Sequence, residues 1–306
     1  MKYSCLVIFM LLLFTSCDKD DNPTDSPEMP ENIDVDGLSY ATSSAAFDSA
    51  EMVIVDALTA AGPIGIVAQV DHGANASSVG QSLEKTKVIL FGNPALGTPL
   101  MQKNQLAGLD LPQKFLIFED DSSRVRVAYN DPAYLEARHD LGGEATLATI
   151  STALDNFVAM TTDEAPIKNS TGVSVGEGIA TKMSANTFDT TYQKLVAAIT
   201  GNPNLKIIAE LDHQMNAASV NLELRPTRLI VFGNPNLGSP LMQSKQSAGI
   251  DLPQKMLVWE TADSVVQVAY NDPTYIAQRH GLTGVDTELS TIAMALENLS
   301  NAATQE

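Results

Sequence analysis

The chain has 306 residues, 44% hydrophobic and 18% charged, with 37 acidic against 18 basic side chains and a formal net charge of −19. That length fits about two domains. An acidic excess of this size is repelled by phosphate backbones and anionic headgroups, which disfavours nucleic-acid binding and basic-patch membrane binding.

The N-terminus reads as an address. Lys2 precedes the apolar run at 6–14 (LVIFMLLLF), which is too short to span a membrane and fits an export signal over residues 1–16. Leu13-Phe14-Thr15-Ser16-Cys17 resembles the lipobox of bacterial lipoproteins. The resemblance implies cleavage before Cys17 and acylation (palmitate) of its thiol and amine, with a plain signal peptide cut elsewhere as the alternative. Several acyl chains on one residue would give stable membrane anchoring. Cys5 would leave with the signal and Cys17 would carry lipid, so the mature chain would form no disulfide and rely on its cores alone. Residues 17–36 are acidic and proline-rich with no apolar period, and read as a disordered tether. The acidic start after Cys17 resembles the surface-export signal of outer-membrane lipoproteins, whereas Asp18 beside the lipidated cysteine is also a retention signal for the inner membrane. The expected location is the cell envelope, at the outer membrane.

The rest of the chain is a duplication. His213 lies 141 residues after His72, as His280 does after His139, and FGNPALGTPLM at 91–101 returns as FGNPNLGSPLM at 232–242. The first domain is read at 37–160, a polar linker at 161–172 and the second domain at 173–303, the two copies forming an intramolecular pseudo-dimer.

In chain order, Phe47 opens a helix in which Asp48 is the expected N-cap, Glu51 completes a capping box and Phe47 staples onto Met52; Gly62-Pro63 closes it. Residues 64–70 alternate as a strand with Ile64, Ile66, Ala68 and Val70 on one face, and continuing that parity puts His72 on the apolar side. The second copy alternates likewise toward His213. Residues 87–91 (KVILF) read as a buried strand. Thr98-Pro99 reads as a helix start, with the helix running to Ala107 and stopping at Gly108. Residues 114–119 and 124–129 form a hairpin around Asp120-Asp121-Ser122-Ser123, with Val125, Val127 and Tyr129 on one face. Asp131-Pro132 starts a helix through His139, and Leu147, Ile150, Leu154 and Phe157 have the spacing of a final helix, matched by Leu289, Ile292, Leu296 and Leu299. The fold class is α+β, with helices packed on one face of a mainly antiparallel sheet.

Leu211-Asp212-His213, the FGNP-x-x-G-x-PLM run, LPQK and YNDP-x-Y-x-x-x-RH-x-L resemble the domain-of-unknown-function family numbered 302, over nearly the whole of both copies. The resemblance implies two tandem domains similar in fold to the TATA-binding-protein-like group. It brings no activity, cofactor or catalytic residue with it.

The window at 91–101 keeps nine of its eleven positions in the second copy, whereas the first helix has drifted. Constraint is local, either because Gly92, Pro94, Gly97 and Pro99 shape turns or because these segments surround a ligand. The candidate ligand-binding residues are His72, Asn93, Met101, Lys114, Glu119, Tyr129 and His139, with His213, Asn234, Met242, Lys255, Glu260, Tyr270 and His280 in the second copy. Strand parity turns His72 and Tyr129 toward one apolar layer. His139 has its own explanation as a cation in the last turn of a helix, which is the favoured reading for it. Imidazole and thioether groups suit copper, but no His-x-x-His or His-x-x-x-His pair occurs, so neither metal nor cofactor is expected. No nucleophile elbow, phosphate loop or dinucleotide fingerprint is present. The favoured function is a non-catalytic module for a small ligand. An interaction scaffold and a histidine-dependent hydrolase or isomerase are the alternatives.

Overall fold

The computed structural model describes residues 32–306, so the export signal, Cys17 and most of the expected tether lie outside the described residues. The first repeat runs β1 (Leu38–Thr42), α1 (Phe47–Ala60), β2 (Gly65–Asp71), α2 (His72–Ser78), β3 (Thr86–Gly92), α3 (Pro94–Lys103), a 3-10 turn (Gln105–Leu109), β4 (Gln113–Glu119), β5 (Val125–Asn130), α4 (Pro132–His139) and α5 (Thr146–Ala159). A two-residue strand, β6 (Ile167–Lys168), follows. The second repeat runs β7 (Ile179–Met183), α6 (Phe188–Thr200), β8 (Lys206–Asp212), α7 (His213–Ser219), β9 (Thr227–Gly233), α8 (Pro235–Ser244), a 3-10 turn (Gln246–Ile250), β10 (Gln254–Glu260), β11 (Val266–Asn271), α9 (Pro273–His280) and α10 (Asp286–Thr304). The architecture is α+β in tandem. The first sheet has the order β2-β3-β4-β5-β1-β6 and the second β7-β11-β10-β9-β8, with antiparallel pairing throughout.

The period-2 alternation of the central strands builds three cores. Ile89, Phe91, Phe115, Ile117, Val127 and Tyr129 face the helices of the first repeat and meet Leu147, Ile150, Leu154 and Phe157 of α5. Ile230, Phe232, Met256, Val258, Val268 and Tyr270 do the same in the second, against Ile292, Leu296 and Leu299 of α10. The intervening residues form a third core shared by the two sheets. Val88, Leu90, Leu116, Phe118 and Ala128 pack with Leu229, Val231, Leu257, Trp259 and Ala269. Strands buried on both faces read as continuous apolar runs, which is why KVILF carries no alternation. The seam between the sheets thus excludes water as a domain core does, and its large side chains stabilise by roughly 25 cal/mol for each Å² of apolar surface removed from solvent.

Two glycines sit on this seam. Gly37 has φ +67°, and a Cβ there would lie 2.5 Å from the Tyr134 Cβ; Gly178 has φ +65°, and its Cβ would lie 2.0 Å from the Tyr275 Cγ. Each tyrosine of α4 or α9 therefore lies on bare backbone just ahead of β1 or β7. The two phenol oxygens meet 2.9 Å apart across the seam.

Several local expectations need correction. Ala46, not Asp48, precedes α1, with no side-chain cap bond, and Met52 is exposed, so no staple forms; Glu51 instead binds Lys87 at 2.8 Å. α3 begins at Pro94 because the Asn93 side chain accepts from the Ala95 N–H, placing Thr98-Pro99 inside the helix rather than at its start. The helix ends at Lys103, and Gln105–Leu109 is a separate 3-10 turn. In β2 the register slips between Ile66 and Ala68, and in β8 between Ile207 and Ala209. An extra residue in one strand reverses every later side chain. Ile66 therefore faces the helices, whereas Ala68 and Val70 face the seam. Within the stretch read as a linker, β6 pairs with β1. At the end of the stretch read as a tether, Val35 is buried in the seam core.

Candidate functional site

The bulge decides where the histidines go. Having crossed to the seam side, β2 ends at Asp71, whose carboxylate accepts from the Ala74 N–H (2.8 Å) and caps α2, so His72 becomes the first residue of a short helix. Asp212, Met215 and α7 repeat this for His213. His72 thereby leaves its own repeat and lines a cavity of the second; His213 does the reverse.

The first cavity, about 190 Å³, lies between the end of β3, α3 and α5, and Leu211, His213 and Asn216 of the second repeat close it. The second, about 360 Å³, lies between β9, α8 and α10 and is closed by residues 69–72 with Ala74 and Asn75 of the first repeat. Phe91, Leu96, Met101, Leu154 and Phe157 make the first largely apolar, as Phe232, Leu237, Met242 and Leu296 do the second. Such concave, mostly apolar space with a few polar groups is the usual form of a small-ligand site.

Three polar atoms in each cavity wall are buried and have no hydrogen-bond partner among the described residues. In the first they are His213 Nε2, Thr98 Oγ1 and Gln113 Nε2; in the second, His72 Nε2, Ser239 Oγ and Gln254 Nε2. Native structures pair almost all such groups, and leaving one unmade costs about 1–3 kcal/mol. Their recurrence at matching positions marks a feature of the fold. Burial lowers both histidines to about 4, against partial opposition from Asp71 and a ring hydrogen bond with the Gly249 backbone at His72, and from a ring hydrogen bond with the Gly108 backbone and then Asp212 at His213. Both rings are neutral at neutral pH. Met101 approaches the same backbone as the opposite histidine: a Cβ on Gly108 would meet its Sδ at 3.2 Å and His213 Cδ2 at 3.4 Å.

The remaining candidates divide between other places. Asn93 and Asn234 line the cavities, with their side-chain oxygens engaged as helix caps. Tyr129 is not in one layer with His72, because the bulge separates them; it lies in the helix-side core and donates to Asp155. Tyr270 donates to Glu297 at 3.1 Å. Glu119 and Glu260 end β4 and β10 away from either cavity.

Lys114, His139, Lys255 and His280 gather instead in a buried ionic cluster at the seam. Arg138 Nη1 donates to Asp110 Oδ2 (2.7 Å), His139 Nε2 lies 2.8 Å from the same oxygen, and Lys255 Nζ is 3.5 Å from Asp110 Oδ1. Asp251 holds Arg279 at 2.8 Å and His280 at 2.9 Å in the same manner. The guanidiniums reach across. Arg138 donates to Glu177 O and Asn271 Oδ1, and Arg279 to Asp36 O and Asn130 Oδ1. Burial alone would push both aspartates up, but Arg138 with His139, and Arg279 with His280, hold them well below the usual carboxylate range. Burial first, and then the ammonium of Lys255 beside it, hold Lys114 well below the usual lysine range. The cluster ties register and orientation between the sheets, and lies apart from the residues of the two cavities.

The sequence reading missed Thr98 and Gln113, the first taken for a cap and the second overlooked beside Lys114. It also missed Asp110, Tyr134 and Arg138. A signal existed for the last, since each Arg stands directly before a paired histidine.

The profile titled "Domain of unknown function DUF302" matches residues 39–157 and again 179–303. The chain belongs to the DUF302 family. The chain is 37% identical over 120 residues to "Fluoride-specific ion channel FluC 1" of Brucella suis biovar 1 (strain 1330), covering 39% of this chain and 46% of that protein. "Fluoride-specific ion channel FluC 2" of Brucella melitensis biotype 1 is 37% identical over 120 residues, covering 39% and 44%. The chain spans less than half the length of these curated relatives. Among solved structures, an uncharacterized conserved DUF302 protein from Bacillus stearothermophilus is similar at 12% identity and a TM-score of 0.38, over 42% of this chain and 98% of that one.

Proposed function

We propose that this protein is a lipid-anchored cell-envelope protein that binds small, largely apolar ligands without turning them over, one in each cross-repeat cavity. The observation that carries the reading is the trio of buried, partnerless polar atoms in each cavity, reproduced across the duplication. A ligand that pairs with these atoms recovers the free energy that the empty fold forgoes. Two features favour binding over chemistry. No hydrogen bond joins Thr98 to His213 or Ser239 to His72, although a general base must reach its nucleophile. The neighbouring Asp71 and Asp212 spend a carboxylate oxygen on capping the helices. The lipobox at Cys17 supports anchoring, and the acidic stretch after it supports the outer membrane.

The Brucella relatives are named as fluoride-specific ion channels. Their likeness covers 39% of this chain, and no helix among the described residues is long and apolar enough to cross a membrane; channel activity is not part of the proposal.

Native mass spectrometry of protein purified from producing cells tests the reading. The expected result is up to two small molecules per chain, one lost in His213→Ala and the other in His72→Ala. Bound mass unchanged in the double variant, or none in wild type together with no thermal shift across a library of small apolar compounds, would overturn it.

A further inference from the structure

The cavities have the same design but not the same dimensions or charge. Resting on the ligand-binding reading above, we infer that each takes an uncharged molecule carrying a hydroxyl on an apolar body, and that the second accepts a body about twice the size of the first.

The hydroxyl follows from the partnerless groups. A neutral imidazole offers one N–H and one bare nitrogen, the glutamine amide nitrogen offers donors, and the threonine or serine hydroxyl is both donor and acceptor. His213 is 4% exposed, Thr98 0% and Gln113 8%, so none of the three can turn to solvent instead. A ligand hydroxyl can pair with any of the three, since it donates one hydrogen bond and accepts two. A carboxylate has no donor for a bare ring nitrogen, and an ammonium has no acceptor for the amide.

Charge argues the same way. Among the described residues no Asp, Glu, Lys or Arg lines the first cavity, and its histidine is neutral, so an ion entering it would lose its hydration with no opposite charge to meet. In the second cavity the charged residues are Lys206, exposed, and Asp71, already shared between the α2 cap and Lys87 at 3.5 Å. They lie at opposite signs and leave no net field for an ionic head.

The size difference has a residue behind it. An apolar cavity of roughly 150 Å³ is enough to hold benzene; the first cavity, at about 190 Å³, fits one ring with a substituent, and the second, at about 360 Å³, fits two. Phe157 walls the first cavity and packs edge-on to Phe91 and Phe115. Its counterpart, Leu299, stays in the helix-side core and does not reach the second cavity. The shorter side chain at this helical position gives room on one side, and on the other the second cavity reaches Gln69, Asp71 and Ala74, whose counterparts do not line the first.

Titration calorimetry of the purified protein with phenol, toluene, benzoate and 1-naphthol tests both parts. The expected result is two phenols per chain, each at least tenfold tighter than toluene or benzoate, and one 1-naphthol per chain. Leu299→Phe should abolish 1-naphthol binding and leave two phenols; Phe157→Leu should raise 1-naphthol to two. Because each variant installs the residue that the other repeat already carries, both are compatible with the fold. Toluene or benzoate matching phenol overturns the hydroxyl assignment, and 1-naphthol stoichiometry indifferent to position 299 overturns the size assignment. In either case a molecule retained in native mass spectra leaves the binding function standing. No probe bound and no retained molecule overturns both.

Discussion

Stability should depend steeply on pH between 7 and 5 through two rings, His72 and His213. Each is lowered from 6.5 to about 4, chiefly because burial penalises the imidazolium. In this window the unfolded chain takes up a proton at each histidine while the folded one does not. Protonation therefore favours unfolding: the contribution of each ring is intact above about pH 6.5 and is lost as the pH falls toward 4. A shift of that size corresponds to about 3 kcal/mol per ring once fully developed, of which roughly 2 kcal/mol appears between pH 7 and pH 5. Two rings give on the order of 4 kcal/mol, a large fraction of the stability of an ordinary domain. Urea unfolding at the two pH values, for wild type and for His72→Gln with His213→Gln, measures it. The wild type should lose about 4 kcal/mol more than the double variant over this interval. His280, also lowered by burial, titrates in both proteins and cancels in the comparison. Asp110 and Asp251, held well below 3.8, contribute above that value and give up their share only at lower pH. Identical pH dependence in the two proteins would refute the placement of these rings in dry walls.

Arg138→Met leaves Asp110, Asn271 and the Glu177 carbonyl short of donors and should destabilise by about 3–5 kcal/mol in the same assay; Arg138→Lys should not restore it, because the lysine lacks the planar fork that serves three acceptors at once. Tyr134→Phe strands the Tyr275 hydroxyl at the seam and should cost about 1–3 kcal/mol. Adding Tyr275→Phe should cost less than its own single change, a coupling visible in a double-mutant cycle. Cys17→Ala should move the protein from the detergent-extracted membrane fraction to the soluble one and remove acyl mass from the mature chain.

The hairpin, the last helix of each copy and the duplication were legible because each is written in local sequence. Val125, Val127 and Tyr129 do share a face, and Leu147, Ile150, Leu154 and Phe157 do enter one core. β1 and β7 went unread: LSYAT and IATKM carry no clear alternation, and β1 is buried almost throughout because its neighbours come from distant parts of the chain. The bulge at Val67 was invisible for a different reason. Nothing in GIVAQVD says where one residue will stand out of register, yet that one step sends His72 away from Tyr129 and out of its own repeat. Lys114 and His139 stand among the candidate ligand-binding residues, yet they line neither cavity and lie in the ionic cluster at the seam. Only the packing of two sheets reveals that their carboxylate partner is Asp110, and that the guanidinium beside it reaches Asn271, 133 positions away.

The exchange of imidazoles between repeats ties the fates of the two copies together. Since α2 walls the cavity behind α8, and α7 the one behind α3, a mutation in either short helix is judged by what its sister can still hold. Neither half, cut loose, would retain a finished receptacle. This mutual walling is a physical reason for FGNP…PLM to stand nearly unaltered in both repeats while their first helices differ.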